Sequence, residues 1–418
     1  MAEESTIRAH IALLSIAIAL GGSLAHAQPA DELATVATRQ RESLDPLGIR
    51  TGSFRIFPEL GLEHAKDSNV FATRDARASD TVLVLTPAVT FRSDWSRNSF
   101  DFGVSAAIND YSDFDTEDHD DRSAFVRGRW ETANDGFFYG NYDSSVDHEG
   151  RESVDDARGL ERTQIDTDEV SIGYRVEPGR MLFQVEIESR DSDFHDVAGI
   201  GGVVNNDDRD RTGKSTRLRG GYRVSDGYAV FLQRSDRSID YDSVVDDNGF
   251  NRNAEGDETV VGAELDLTDV IFGDVYFGRK SYSYDDARFS DIKGNAFGIG
   301  IDWNVTRLTT FRFDGHQEVT PTTVIGAAGI DETEFMLGAD HELLRNLILS
   351  LEWSRREDDF KGIERKDENH SITFGARYLM NRRFEIEFEY VSHDRDSTTA
   401  ANREYSRNLV GIRFTGQL

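Results

Sequence analysis

The chain has 418 residues, with 78 acidic against 47 basic side chains and a formal net charge of −31. That balance excludes a nucleic-acid-binding protein, because phosphate contacts need clustered Lys and Arg. The absence of Cys excludes disulfides, thiolate nucleophiles and Cys-ligated metals, and no stretch beyond the N-terminus approaches the ~20 apolar residues of a transmembrane helix.

In chain order, residues 11–20 form a short apolar core, and Ala25-His26-Ala27 fits the small-x-small cleavage rule. Residues 1–27 therefore read as a signal peptide, although Glu3 and Glu4 are unusual in its first part. Residues 28–53 are polar and show no two-residue period. They read as a periplasmic leader, with Leu33, Val36 and Ala37 spaced for one face of a short helix over 30–43.

From residue 54 the pattern changes to a period of two. Residues 54–64 read as a first strand. At 82–91, Val82, Val84, Thr86, Ala88 and Thr90 alternate with Leu83, Leu85, Pro87, Val89 and Phe91. After the polar break Ser93-Asp94-Trp95-Ser96-Arg97-Asn98, the residues Phe100, Phe102, Val104, Ala106 and Ile108 hold one parity, and Ser99, Asp101, Gly103, Ser105, Ala107 and Asn109 the other. Alternation of this kind predicts extended strands with unlike faces, and two such runs about a turn predict an antiparallel hairpin. Runs of about ten residues exceed the usual five or six of a soluble strand. They suit the ~9–11 residues of a membrane-spanning strand.

The hairpin recurs to the end of the chain. Val126 and Trp130, Ile172 and Tyr174, Val185 and Ile187, Leu218 and Tyr222, Val230 and Leu232 mark successive apolar parities. Ile299 and Trp303, Leu337, Leu351 and Trp353, Ile372 and Tyr378, Phe388 and Tyr390, Ile412 and Phe414 continue them. Short turns are predicted at 93–98, 133–136, 177–180, 225–227, 304–307, 344–346 and 381–383. Longer acidic loops are predicted between them, among them 149–163, 195–211, 242–256 and 360–369. Short turns on one side and long loops on the other are the mark of an outer-membrane barrel. The fold class is therefore all-β: a transmembrane antiparallel up-and-down β-barrel of about 18 strands over residues 54–418. A soluble sandwich also alternates, but does not combine strands this long with loops sorted by side.

With the apolar parity facing lipid, the other parity faces the lumen. The candidate lumen-lining residues are Arg127, Arg129, Arg175, Arg217, Arg219, Arg223, Arg312, Arg377 and Arg413, interleaved with Asp101, Glu186, Glu264, Asp302, Glu352 and Glu387. Two readings stay open: a charge-striped conduit for hydrated solutes, or an internal ion-pair network that satisfies the interior. Acidic runs at 113–121, 205–208 and 246–248 offer oxygen ligands for Ca²⁺ or Mg²⁺. None has EF-hand spacing, and the simpler reading is a solvated charge run. No Gly-x-Ser-x-Gly elbow and no His-Glu-x-x-His motif occurs, so no catalytic, metal or cofactor-binding residue is assigned.

Three stretches carry a resemblance: Asp45-Pro46-Leu47-Gly48-Ile49-Arg50-Thr51-Gly52-Ser53-Phe54, Asp67-Ser68-Asn69-Val70-Phe71-Ala72-Thr73, and Pro87 to Arg92 with the turn that follows. They resemble the second type of putative outer-membrane β-barrel porin of Gram-negative bacteria, a family associated with exopolysaccharide secretion. The motifs cover about the first hundred residues. The chain ends in Leu418, where many outer-membrane barrels end in Phe or Trp. The resemblance implies a non-enzymatic channel in the outer membrane for passage or export of hydrophilic solutes, with polysaccharide or its secretion apparatus as cargo or partner. Outer-membrane lipid and the barrel-assembly machinery are the other expected partners. The alternatives are a closed structural or adhesive barrel whose acidic loops make surface contacts and, more remotely, an outer-membrane hydrolase.

Overall fold

The structure, a computed structural model, describes residues 34–418 except 134, 157, 268 and 269, so the signal peptide read at 1–27 lies outside the described residues. The strands are, in order, β1 (Ile49–Thr51), β2 (Phe54–Asp67), β3 (Asp80–Ser93), β4 (Ser99–Tyr111), β5 (His119–Glu131), β6 (Gly136–His148), β7 (Gln164–Val176) and β8 (Met181–Phe194). There follow β9 (Val197–Gly199), β10 (Gly202–Val204), β11 (Arg211–Ser225), β12 (Tyr228–Tyr241), β13 (Ala254–Leu267), β14 (Ile271–Tyr284) and β15 (Ile292–Thr306). The last are β16 (Thr309–Thr320), β17 (Gly329–Leu344), β18 (Leu347–Lys361), β19 (Arg365–Asn381), β20 (Phe384–Ser397) and β21 (Tyr405–Gln417). β1 is a short addition to the start of β2, and β9 with β10 is a small hairpin inside one loop. The other eighteen make the wall. Each pairs antiparallel with its neighbour, and β21 returns to β2, from Glu59 opposite Gln417 to Asp67 opposite Leu409. The barrel is closed and leaves no sheet edge to pair elsewhere.

The outer face carries the apolar parity only near the turn end. On β18 it runs Leu347, Leu349, Leu351, Trp353, then changes to Arg355, Glu357 and Asp359. On β19 it runs from Met380 back to Ile372, then changes to His370, Glu368 and Lys366. The apolar part spans about nine residues, roughly 25 Å along the strand at ~3.3 Å per residue, close to the apolar band of a membrane barrel. Above it the outer face holds exposed ion pairs such as Arg355–Glu368 at 3.3 Å and Lys366–Glu357 at 3.2 Å. Trp130, Trp353, Tyr222 and Tyr378 lie exposed on the same outer face.

Several expectations change. The acidic loop read at 360–369 is almost absent, because β18 continues to Lys361 and β19 begins at Arg365. Above the apolar belt both parities are polar, so the alternation fades while the backbone pairing, Phe360 opposite Arg365, goes on. The described part of the helix expected at 30–43 is a chain of turns. A helix that short is marginal alone, and the wall uses its backbone groups instead. Thr310 Oγ1 accepts from Val36 N at 2.9 Å, and the carbonyls of Ala34 and Ala37 accept from Asn304 and Arg377. Val36 and Leu44 pack on Ile348 and Leu379, so residues 34–45 sit inside the turn end of the barrel. On β3, where both parities are apolar, Leu83 faces out while Val82 and Val84 are buried with Val70 and Tyr111.

The wall is not a regular cylinder. Pairing between β15 and β16 stops at Gly298 opposite His316, while Ile292 stays with β14. Beyond that point Val319, on the outward parity of β16, packs against Tyr282 and Ile292, which project inward from β14 and β15. The loop ends of β16 and β17 therefore fold inside their neighbours. Nearer the turn end, an apolar groove of about 810 Å³ on the outside is lined by Met181, Phe183, Tyr222, Leu232 and Phe277. Behind it, Phe231, Val260, Ala296 and Tyr276 fill the inside. The wall is dented inward there.

Candidate functional site: a polar interior crossed by a strap

Arg175 on β7 donates to Glu264 on β13 at 2.9 Å, across the three intervening strands β8, β11 and β12. Only side chains on the concave face can meet in this way. Arg219 Nη1 donates to the other Glu264 oxygen at 2.8 Å, and Arg175 and Arg223 both reach Glu177 at the turn-end rim. Glu264 thus holds two guanidinium groups at the back of the dent.

The other residues singled out from the sequence form smaller groups. Arg217 pairs with Glu186, which also accepts from Tyr139 OH at 2.6 Å. Arg312 lies 3.5 Å from Asp340 and 3.7 Å from Glu352, and faces Asp302 across the ladder. Arg413 donates to Glu63 at 2.5 Å, with Glu387 opposite it in register. Arg377 holds the leader carbonyl of Ala37. Arg127 lies 3.7 Å from Asp143, Arg129 sits 3.6 Å over the Phe137 ring, and Asp101 accepts from Ser93 N at 3.3 Å. The structure brings the residues together in these local sets and does not gather them into one ring.

The strongest feature was missed in the sequence. Residues 149–163 between β6 and β7 do not stand out in solvent. They cross the interior as a strap. At the near end Glu117, with 0% of its surface exposed, accepts from Arg151 Nη2 at 2.5 Å and from Arg162 Nε at 3.0 Å. Glu149 accepts from Arg209 at 2.6 and 2.9 Å. Midway, Glu152 pairs with Arg407 on β21 at 3.1 Å, and its carbonyl accepts from Arg395 on β20 at 2.6 Å. At the far end Asp155 Oδ1 accepts from Thr322 Oγ1 at 2.7 Å and Thr323 N at 3.1 Å, in the loop joining β16 to β17. Val154 packs there on Ala327, Ile330 and Phe360. That loop lies eight wall strands from the strap's own root, nearly half of the eighteen-strand circuit.

The acidic runs read as solvated are exposed at Asp113, Asp115, Asp118, Asp120, Asp207 and Asp247, with two exceptions. Glu117 belongs to one of them and is fully buried; Asp246, from another, is buried against Arg252 at 2.6 Å. Burying a carboxylate without a partner costs several kcal/mol, so each is matched by an arginine. The available signal was the arginines Arg151, Arg162, Arg209 and Arg252, set within otherwise acidic loops. Asp156, also buried in the strap, has its carboxyl pushed up to about 6 by burial, with Arg151 at 3.8 Å pulling the other way.

Among the described residues, His316, Glu332 and Glu334 form a group whose ligand atoms lie within 4.8 Å of one another. They sit on the inner face just below the strap's far anchor.

No curated protein matches the sequence. Among solved structures, the chain is similar to Pseudomonas aeruginosa OpdL, at 9% identity and a TM-score of 0.43, over 88% of this chain and 100% of that one. It is also similar to Acinetobacter baumannii OccAB4, at 13% identity and a TM-score of 0.43, over 87% and 98%. Likenesses this weak add nothing to what the strand pairing already shows. The family match is of another order, because the pattern described as "Putative beta-barrel porin 2" runs over residues 42–418, from the leader to the last residue. With its eighteen closed antiparallel strands, this chain belongs to that porin family.

Proposed function

We propose that the protein is a passive channel of the Gram-negative outer membrane that passes small hydrophilic solutes, without a cofactor or a chemical step. The termini and short turns face the periplasm and the long loops face outward. The observation that carries this reading is a closed barrel with a polar, ion-paired inner face beneath an outer apolar belt. Barrels of 16–18 strands leave an aqueous channel unless plugged.

The strap and the leader decide the kind of cargo. Residues 149–163 narrow the outer mouth and residues 34–45 narrow the inner one. An exported polysaccharide chain needs the strap displaced at its Thr322 and Arg407 anchors, so small solutes are favoured over polymers. Reconstitution of the full chain in planar bilayers tests the reading. Discrete conductance steps that scale with salt are the expected result. Folded, heat-modifiable protein without steps favours a closed structural or adhesive barrel, whose support is the strap's reach across the mouth.

A further inference from the structure

On the inner face of β16 to β19, four carboxylates stand abreast in one rung: Glu318 opposite Glu332, Glu332 opposite Asp358, and Asp358 opposite Asp367. Like charges directly opposite in a ladder destabilise it. Two of the four are provided for. Asp367 accepts from Arg365 and Ser397, and Asp358 accepts from Asn369 Nδ2 at 2.9 Å with Arg356 Nε at 3.1 Å. Glu318 and Glu332 are not matched in this way. Glu332 is 92% buried, from an exposure of 8%, and its nearest cation atom is Arg356 Nε at 3.9 Å. Glu318 Oε1 is shut off from solvent and has no hydrogen-bond partner.

The next rung adds an imidazole. His316 stands directly opposite Glu334, beside that unmatched pair. Its Nε2 is also shut off from solvent and without a hydrogen-bond partner, 3.7 Å from Glu318 and 4.0 Å from Glu334. Lys280 is bound to Asp331 at 2.7 Å. Arg356 is shared between Asp358 at 3.1 Å and Glu332 at 3.9 Å.

We propose that His316 Nε2, Glu334 and Glu332 bind a divalent first-row transition-metal cation of the Mn²⁺ to Zn²⁺ class. The imidazole nitrogen selects against Ca²⁺ and Mg²⁺, which prefer all-oxygen shells. Bonds of about 2.0–2.2 Å to nitrogen and oxygen bridge ligand atoms up to ~4.2 Å apart. The group spans 4.8 Å, so rotation of the Glu side chains closes it. A three-residue set leaves further positions for water, and the bound cation adds positive charge to the two rungs. The site lies in the interior, one rung below Ile330 and Phe360, where Val154 of the strap packs. It is independent of whether the barrel conducts.

The test is calorimetric titration of Zn²⁺ into the chelator-stripped, full-length chain in detergent. Saturation at one Zn²⁺ per chain is expected. His316→Gln and Glu334→Gln should each weaken binding at least tenfold, and Glu332→Gln similarly. Glu186→Gln, elsewhere on the inner face, should leave it unchanged. Heat-modifiable gel migration identifies the variants that fold. Co²⁺ gives a second readout, a visible absorption from imidazole and carboxylate coordination that His316→Gln abolishes. Failure of the wild-type chain to bind Zn²⁺ or Co²⁺ overturns the proposal. So does equal affinity and stoichiometry in folded His316→Gln and Glu334→Gln.

Discussion

Arg407 on β21 donates to Asp67 on β2 at 2.6 Å and to Glu152 of the strap at 3.1 Å, and only 1% of its surface is exposed. One guanidinium thus ties the crossing segment to the seam where the barrel closes. Removing one partner of a buried ion pair typically costs about 3–5 kcal/mol, because the other charge stays buried alone. Arg407→Gln strands both Asp67 and Glu152. Its unfolding midpoint in denaturant should fall accordingly, and its conductance should rise as the strap loosens. Wild-type stability and conductance in this variant would show that the strap is held elsewhere.

Replacing residues 151–161 by a short Gly-Ser linker removes the Arg151–Glu117, Glu152–Arg407 and Asp155–Thr322 contacts together. The eighteen paired strands do not need the strap for their backbone bonds. The variant should fold and conduct several-fold more current per channel than the parent. Unchanged single-channel conductance would mean that the strap does not lie in the path.

The strap should respond to pH through Asp156. Its carboxyl is raised by burial from 3.8 to about 6 in the tucked strap. A raised carboxyl contributes stability that is fully present below about 3.8 and is lost as the pH rises through about 6. The gap corresponds to roughly 3 kcal/mol at most. Acidification from pH 7 towards 4 should therefore favour the tucked strap and lower the open probability. Asp156→Asn, neutral throughout, should flatten that profile. A conductance that rises on acidification in the parent chain would reverse the assigned sign.

The two faces of one strand give a separate check. Phe388 and Ile386 share the outer parity of β20, whereas Glu387 stands opposite Arg413 on the inner side. Phe388→Arg places a cation against lipid and should cost about 2–4 kcal/mol near the midplane. Glu387→Arg should still fold and shift ion selectivity towards anions. Equal tolerance of both would mean that β20 does not cross a membrane.

How much of this could be read beforehand differs by level. The two-residue period from residue 54 onward marked the strands, since lipid on one side and a polar interior on the other demand unlike faces. Turn residues such as Pro178-Gly179, with Gly179 at a φ of +65°, marked the turn ends. The period failed above the apolar belt, where both parities are polar. That is why β18 and β19 run on through residues expected to be loop. It also left β3 undecided, because Val82, Leu83 and Val84 are all apolar and only the cluster with Val70 and Tyr111 shows which side is inside.

The sequence by itself determined a closed all-β wall of about 18 strands and the parity of nearly every strand. These follow from local alternation, which needs no knowledge of distant residues. Only the tertiary structure decided that residues 149–163 cross the mouth, that residues 34–45 enter the barrel, and that β16 and β17 fold inward. The first two depend on pairs hundreds of positions apart, Glu152 with Arg407 and Val36 with Thr310, and the third on Val319 meeting Tyr282 and Ile292 from other strands. A loop carrying both Arg and Asp looks equally fit for solvent and for burial. What settles it is whether the far wall offers partners for those charges, and that is a property of the closed barrel.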